Sequence, residues 1–358
     1  MTEIFSRFQL KDRVTAAKPF GNGHINDTFL AITDEGKPKY ILQRINRFVF
    51  TNPDAVMENI VGVTQYLRGI ITADNGDPDR ETLTMVPTVD GEWLFWDLEG
   101  SPWRCMVFIE NMVAHELANP QILEAAGRRF GEFLRRLDHY PADSLHETIV
   151  RFHDTPSRLS TLKHVVRQDP CGRAKDCRPE IEFALSREAD CSVLVNLMHN
   201  GGLPLRVTHN DCKLNNVLLD LDQDRGCVID LDTVMPGLSA YDFGEAIRTG
   251  ASTGFEDETD LDKVHLNLDL VRAYATGYLA EAGAVLTNNE KNHLAWGARL
   301  MTLENGIRFL TDYLGGDTYY HTTREHHNLD RCRTQLRLVA EMEEEFHAIE
   351  QIIKEISE

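Results

Sequence analysis

The spacing of apolar positions changes once along the chain. Up to about residue 110 the apolar runs are short and near period two: AAKPF at 16–20, TFLAIT at 28–33, the run ending YILQRI at 40–45, then Thr84–Val86, Trp93–Asp97 and Arg104–Phe108. Runs of this kind, bounded by Gly, Asn and Pro, read as strands of an antiparallel sheet. One helix interrupts them, Asp54–Arg68, with Val56, Ile60, Val63 and Leu67 on one face. Beyond Ile109-Glu110-Asn111-Met112 the period becomes helical. Pro120 opens a helix carrying Leu123, Ala126, Phe130 and Phe133. Further helices are expected at Glu180–His199, His265–Leu279 and Leu294–Tyr313, and one long amphipathic helix from about Leu329 to Ile356. Residues 141–180 read as irregular. The pattern predicts an α+β chain with a small antiparallel sheet domain over 1–110 and a mainly helical domain over 111–358.

Between the runs LRV, VLL and CVIDL lies a polar stretch that breaks both periods. Asp211 comes first, Lys213 two residues later, Asn216 five residues later, and Asp230 sits on the following strand. A hairpin would return Asn216 beside Asp230. Polar loops on strand ends are where chemistry sits. An amide oxygen and a carboxylate suit Mg²⁺, which few protein groups hold together with phosphates. Asp211 would then accept a hydroxyl proton and Lys213 would neutralise charge on a moving phosphoryl group. These are the parts that phosphoryl transfer needs.

Elsewhere the residues leave alternatives open. The turn GNGHIN, with Gly21 and Gly23, is a plain hairpin or a backbone that closes over a ligand; His24 and Asn26 cap it or face a substrate. Glu304 and Arg308 are four apart, either a surface ladder or an arginine turned into the domain. Arg151 and His153 read as loop filler, and Asp242 as an acid stabilised at a helix start.

Composition narrows the function classes. The net charge of -20 argues against nucleic acid or an anionic membrane surface as partner. Seven scattered cysteines without a C-x-x-C pair suggest reduced thiols. No apolar run approaches a membrane span and no leader pattern is visible, so a cytoplasmic protein is expected.

The pattern H-x-D-x-K-x-x-N followed by I-D resembles the catalytic loop and metal-binding aspartate of the kinase-like superfamily. In wording it is most similar to the aminoglycoside phosphotransferase and choline kinase family. The resemblance implies a protein-kinase-like, two-lobe fold with ATP and Mg²⁺ as cofactors. Asp211 would be the base, with Lys213 beside it, and Asn216 and Asp230 the metal ligands. Gly21 and Gly23 would lie over the nucleotide phosphates, and the backbone at Glu110 would meet the adenine. The phosphate-gripping lysine of that family is missing: its strand holds Gln43, with Arg44 beside it. Either Arg44 is swung in by a shift of register or Gln43 bonds the nucleotide as a neutral group. Glu58, where a helix glutamate would pair with that lysine, meets Arg44 or stays solvated. Asp242 stands where the family braces its catalytic loop.

Longer pieces are similar to family members that act on amino sugars: GHIN at 23–26, YILQ at 40–43, FHDTP at 152–156, IDLDT at 229–233 and DFG at 242–244. They imply a small-molecule amino sugar as partner, phosphorylated at its anomeric C1 hydroxyl, with His24, Asn26 and Arg308 as sugar contacts. Another alcohol (choline, homoserine, methylthioribose) is the alternative, and a pseudokinase a third, motivated by Gln43. A monomer is expected, with a dimer contact along the last helix left open.

Overall fold

The computed structural model describes residues 2–21, 25–34, 36 and 38–358. Gly23 and His24 of the glycine-rich turn lie outside the described residues. The chain divides into two compact units, one of residues 1–114, 139–150 and 217–235, the other of 115–138, 151–216 and 236–358. A single boundary at 110 therefore does not describe it. The first unit takes in later chain because a hairpin adds to its strand ending at 114.

That unit is built on a six-stranded antiparallel sheet: β1 (Val14–Pro19), β2 (Asp27–Thr33), β3 (Pro38–Arg44), β4 (Met85–Val86), β5 (Phe95–Trp96) and β6 (Pro102–Val107), in the order β1-β2-β3-β6-β4 with β5 also on β6. Alternation puts Tyr40 and Leu42 with Trp103 and Cys105 in a core closed by Phe5 and Phe8. The pairing of β2 with β3 shifts register between Ala31 and Ile32, but it is regular around the unusual glutamine: Gln43 pairs with Thr28 and Arg104, and Arg44 with Asp27 and Trp103. No slip swings Arg44 inward, so adjacent residues keep to opposite faces. Helix α1 (Pro53–Ala73) begins at Asn52, whose side chain accepts from the Ala55 N–H, and runs past Arg68 because Ile71 continues the buried face. Strand β7 (Val113–Ala114) pairs with β8 (Val217–Asp220), which forms a hairpin with β9 (Arg225–Val228).

The second unit is helical: α2 (Pro120–Arg136), α3 (Thr155–Gln168), α4 (Ser239–Gly250), α5 (Leu268–Ala282), α6 (Leu294–Gly315), α7 (His327–Glu344) and α8 (Phe346–Ser357). Three expectations are corrected. Residues 155–168, read as irregular, form α3, started by the Asp154 side chain accepting from Ser157 N–H. The helix expected over Glu180–His199 is three short ones, Arg178–Leu185, Glu188–Cys191 and Val193–His199. Ser186 and Ser192 sit at the breaks and donate their hydroxyls to carbonyls three residues back, a bond that competes with the helix. The last helix breaks at Glu345 into α7 and α8, where Phe346 packs edge-on against Trp296. Helices α4 and α6 touch backbone to backbone, since a Cβ on Gly244 would strike the Gly297 carbonyl and one on Gly297 the Ala240 carbonyl. Among the described residues no helix is long and apolar enough to cross a membrane.

Candidate active site

In the helical unit the polar stretch is held by its backbone. A short strand, Arg206–Thr208, enters it, and Arg206 is tied to Glu290 at 2.6 Å and to Asp138 at 2.5 Å. The buried Asp242 carboxylate accepts the N–H groups of His209 at 2.9 Å and Asn210 at 2.7 Å. Asp242 stands in the first turn of α4, as expected from sequence, and it braces the loop as the resemblance implies. The start of α4 has no side-chain cap, and the carboxylate reaches across to the loop. Burial pushes its pKa up, against the lowering by His209 and the two N–H bonds. Asn210 is left-handed, φ 63°, a conformation asparagine tolerates better than most residues.

Asp211 follows directly. Lys213 Nζ lies 2.8 Å from its Oδ1, and Asn216 Nδ2 donates to its backbone oxygen at 2.8 Å and to Oδ2 at 3.0 Å. Burial pushes the Asp211 carboxyl up, but Lys213 and His209 outweigh that and hold it below the ordinary value. Lys213 shifts the other way: burial lowers it, and Asp211 and Glu245 raise it further. The pair is a carboxylate and an ammonium at neutral pH. Because the Asn216 amide nitrogen is engaged by Asp211, its Oδ1 is the atom left to meet a cation, and this donor chemistry fits a hard divalent ion.

Helix α6 brings two more residues to this unit's site. Glu304 is fully buried, which rules out the surface ladder, one of the two alternatives left open by the sequence. Its carboxylate receives His153 Nδ1 at 2.8 Å and Thr155 Oγ1 at 2.6 Å. His153, read as loop filler, is buried too, and its Nε2 meets the Asn210 carbonyl at 3.0 Å. Only the apolar face that passes through Leu303 and Ile307 hinted that Glu304 turns inward. Arg308 lies half-buried against the rings of Phe152 (5.1 Å) and Tyr320 (5.7 Å), and its Nη1 donates to Asn305 Oδ1 at 3.5 Å.

The sheet unit carries the other predicted residues. Asp230 follows β9 in a left-handed conformation, φ 58° and ψ 54°. Two residues on, Asp232 is 2% exposed and clasped by Arg104, also 2% exposed. Arg104 Nη1 meets Oδ1 and Nη2 meets Oδ2 at 2.9 Å; Asn26 Nδ2 adds a bond to Oδ2 at 2.6 Å. Asp232 is thus engaged within the protein. Gln43 completes the cluster: its Oε1 accepts from Arg104 Nε at 2.9 Å and its Nε2 donates to Thr28 Oγ1 at 3.0 Å. Arg44 faces away from it, paired with Asp27 and lying over Trp103. Glu58 does not meet Arg44; it pairs with His146 Nε2 at 2.5 Å. The next residue on α1, Asn59, is buried and bonds the His146 backbone and the Val234 carbonyl.

Asn26 has both ends of its amide occupied, since Oδ1 accepts the Asn46 N–H at 3.0 Å. Gly21 has φ 78° and open space where a Cβ would stand. Glu110 is exposed, next to a left-handed Asn111. Sequence reasoning missed Arg104. The available signal was an arginine inside an otherwise apolar strand, which implies a buried partner.

Residues 16–284 match the model of the phosphotransferase enzyme family. A microcompartment-associated aminopropanol kinase superposes with a TM-score of 0.58 at 16% identity, covering 97% of each chain. A choline kinase from Cryptosporidium parvum Iowa II gives 0.57 at 14% identity, again over 97% of each chain. Spectinomycin phosphotransferase, in complex with ADP and spectinomycin, gives 0.54 at 13% identity over 99% of this chain and 97% of that one. At such identities the likeness shows the fold, protein-kinase-like with an antiparallel-sheet N-lobe and a helical C-lobe.

Proposed function

The chain belongs to the phosphotransferase enzyme family, and on that premise we propose that it is a small-molecule kinase that uses ATP and Mg²⁺ to phosphorylate the anomeric hydroxyl of an N-acetylhexosamine, N-acetylglucosamine or N-acetylgalactosamine. The observation that carries the kinase part is Asp211, an ionised carboxylate held between Lys213 and Asn216. The sugar part rests on the resemblance of the scattered sequence pieces and on the lining around Arg308.

Asp211 accepts the proton of the acceptor hydroxyl. An anomeric hydroxyl belongs to a hemiacetal and is more acidic than an ordinary alcohol, so a carboxylate with a lowered pKa can take its proton late, as the bond to phosphorus forms. Lys213 keeps Asp211 charged and offers its ammonium to phosphoryl oxygens. Asn216 Oδ1 and Asp230 would hold Mg²⁺, whose charge neutralises the transferring group. The turn at Gly21 and Gly23 and the backbone at Glu110 are proposed for the nucleotide, with Gln43 acting through Arg104. Arg308, with His24 of the turn, is proposed to contact the sugar. Asn26 contributes by fixing Asp232. A cationic acceptor such as choline is disfavoured, because the rings of Phe152 and Tyr320 already face the Arg308 guanidinium.

ADP release is measured with a panel of sugars and amino alcohols, including 1-O-methyl and 6-deoxy N-acetylglucosamine. The 6-deoxy sugar should react, and the methyl glycoside should give no release above the water background. Phosphorylation of the methyl glycoside at a normal rate would end the 1-kinase reading while leaving the kinase reading intact.

A further inference from the structure

The peptide unit that joins Asn210 to Asp211 is fixed at both ends. Its N–H, on Asp211, donates to His209 Nδ1 at 3.2 Å, and its carbonyl, on Asn210, faces His153 Nε2 at 3.0 Å. One residue earlier the Asn210 N–H is held by Asp242, and the Asn210 Oδ1 accepts from Thr208 Oγ1 at 3.0 Å. A left-handed non-glycine residue persists where its surroundings over-determine it, and every polar group of Asn210 is engaged here. We infer that His153 is a positioning residue for the kinase reaction: locked by the buried Glu304, it grips the Asn210 carbonyl from α3's side of the loop and so sets the direction of the Asp211 carboxylate.

The hydrogen-bond chemistry supports this. A carbonyl only accepts, so His153 Nε2 must carry a proton. Nδ1 faces a carboxylate whose second oxygen already accepts from Thr155. Both ring nitrogens therefore point at acceptors, which an imidazolium paired with a carboxylate satisfies. The ring has little room to turn, with Phe152 at 4.4 Å and Tyr241 at 5.0 Å between centroids. Burial lowers the His153 pKa but Glu304 overcomes it and raises it; Glu304, which burial raises, is lowered by His153. The ion pair thus has its proton where the Asn210 contact needs it.

This inference rests on Asp211 as the base, but not on the identity of the acceptor. The test separates the two ends of the ring. An asparagine amide nitrogen reaches about as far as Nδ1, and a glutamine amide nitrogen about as far as Nε2. His153→Asn keeps the bond to Glu304 and loses the carbonyl. His153→Gln combined with Glu304→Gln keeps a donor on the carbonyl and leaves no unpaired buried charge. Initial rates are read as ADP release with N-acetylglucosamine, or with the best acceptor of the panel, alongside thermal melting and Asp211→Asn.

His153→Asn should lower kcat by about 10–100-fold, the scale of a misplaced reacting group, with both KM values within about twofold. The double variant should stay within about fivefold of wild-type kcat. Equal losses in both, tracking the melting temperature, would make His153 merely structural, and normal kcat in His153→Asn would remove it from the site altogether. Wild-type turnover persisting in Asp211→Asn would instead overturn the base assignment itself, a different result from either.

Discussion

Two clusters of charged side chains, one in each unit, are built on opposite plans. Around Asp211 the charges are partly exposed and the geometry comes from backbone contacts: Asp242 on two N–H groups, His153 on one carbonyl. Around Asp232 the side chains clasp one another, with Arg104 and Asn26 closing on a single buried carboxylate and Gln43 bonding Arg104. The first plan leaves a carboxylate and an ammonium accessible to a reactant. The second leaves none, and its product is a fixed backbone for the segment that carries Asp230. Gln43, at the strand position where the resemblance expects a lysine, is itself bonded to Arg104 and Thr28.

The comparison breaks most sharply at Asp211. Asp211→Asn should lower kcat by about 10²–10⁴-fold while the melting temperature stays near wild type, because the loop is braced by Asp242 and not by the Asp211 side chain. Near-normal kcat in a folded variant would mean that the accessible cluster is not the reactive one.

The buried cluster should answer in stability first. Arg104→Ala leaves Asp232 buried without its cation, a change that typically costs about 3–5 kcal/mol. Exchanging both partners for apolar residues of similar size, Arg104→Met with Asp232→Leu, should recover much of that loss in a thermal or denaturant melt. If Arg104→Ala melts with the wild type, the pair does not hold the segment and the contrast between the clusters dissolves.

The two plans also explain what could be read in advance. Asp211, Lys213 and Asn216 fall within six residues, so their spacing alone suggested a shared site, and the hairpin after them was visible as two apolar runs around a turn. Arg104 and Asp232 are 128 residues apart, and nothing local marks an arginine in PWRCMV as the partner of an acid in IDLDT. His153 and Glu304 failed for the same reason: 151 residues separate them, and each in its own stretch resembles an ordinary surface polar residue. The sheet and most helices were legible from periodicity. The broken helix before the site was not, since serine side chains that return to the backbone decide it.

The smallest effect is expected at the position that departs from the family pattern. If the buried cluster is complete as it stands, Gln43 is part of it and not a missing lysine. Its Oε1 is the acceptor for Arg104 Nε and its Nε2 the donor to Thr28. Lysine has no acceptor, so Gln43→Lys would strip Arg104 Nε of its partner and set an ammonium beside a guanidinium. Losing one buried partner costs about 1–3 kcal/mol, which a melt should register. The rate with ATP should then fall modestly or stay level, because a lysine at 43 would have to displace Arg104 before it reached Asp232 or a phosphate. A gain in kcat/KM for ATP of tenfold, about 1.4 kcal/mol of transition-state stabilisation, would show the opposite: that the sheet unit lacks a phosphate contact which lysine supplies, and that Arg104 fixes the Asp230 segment without replacing that contact.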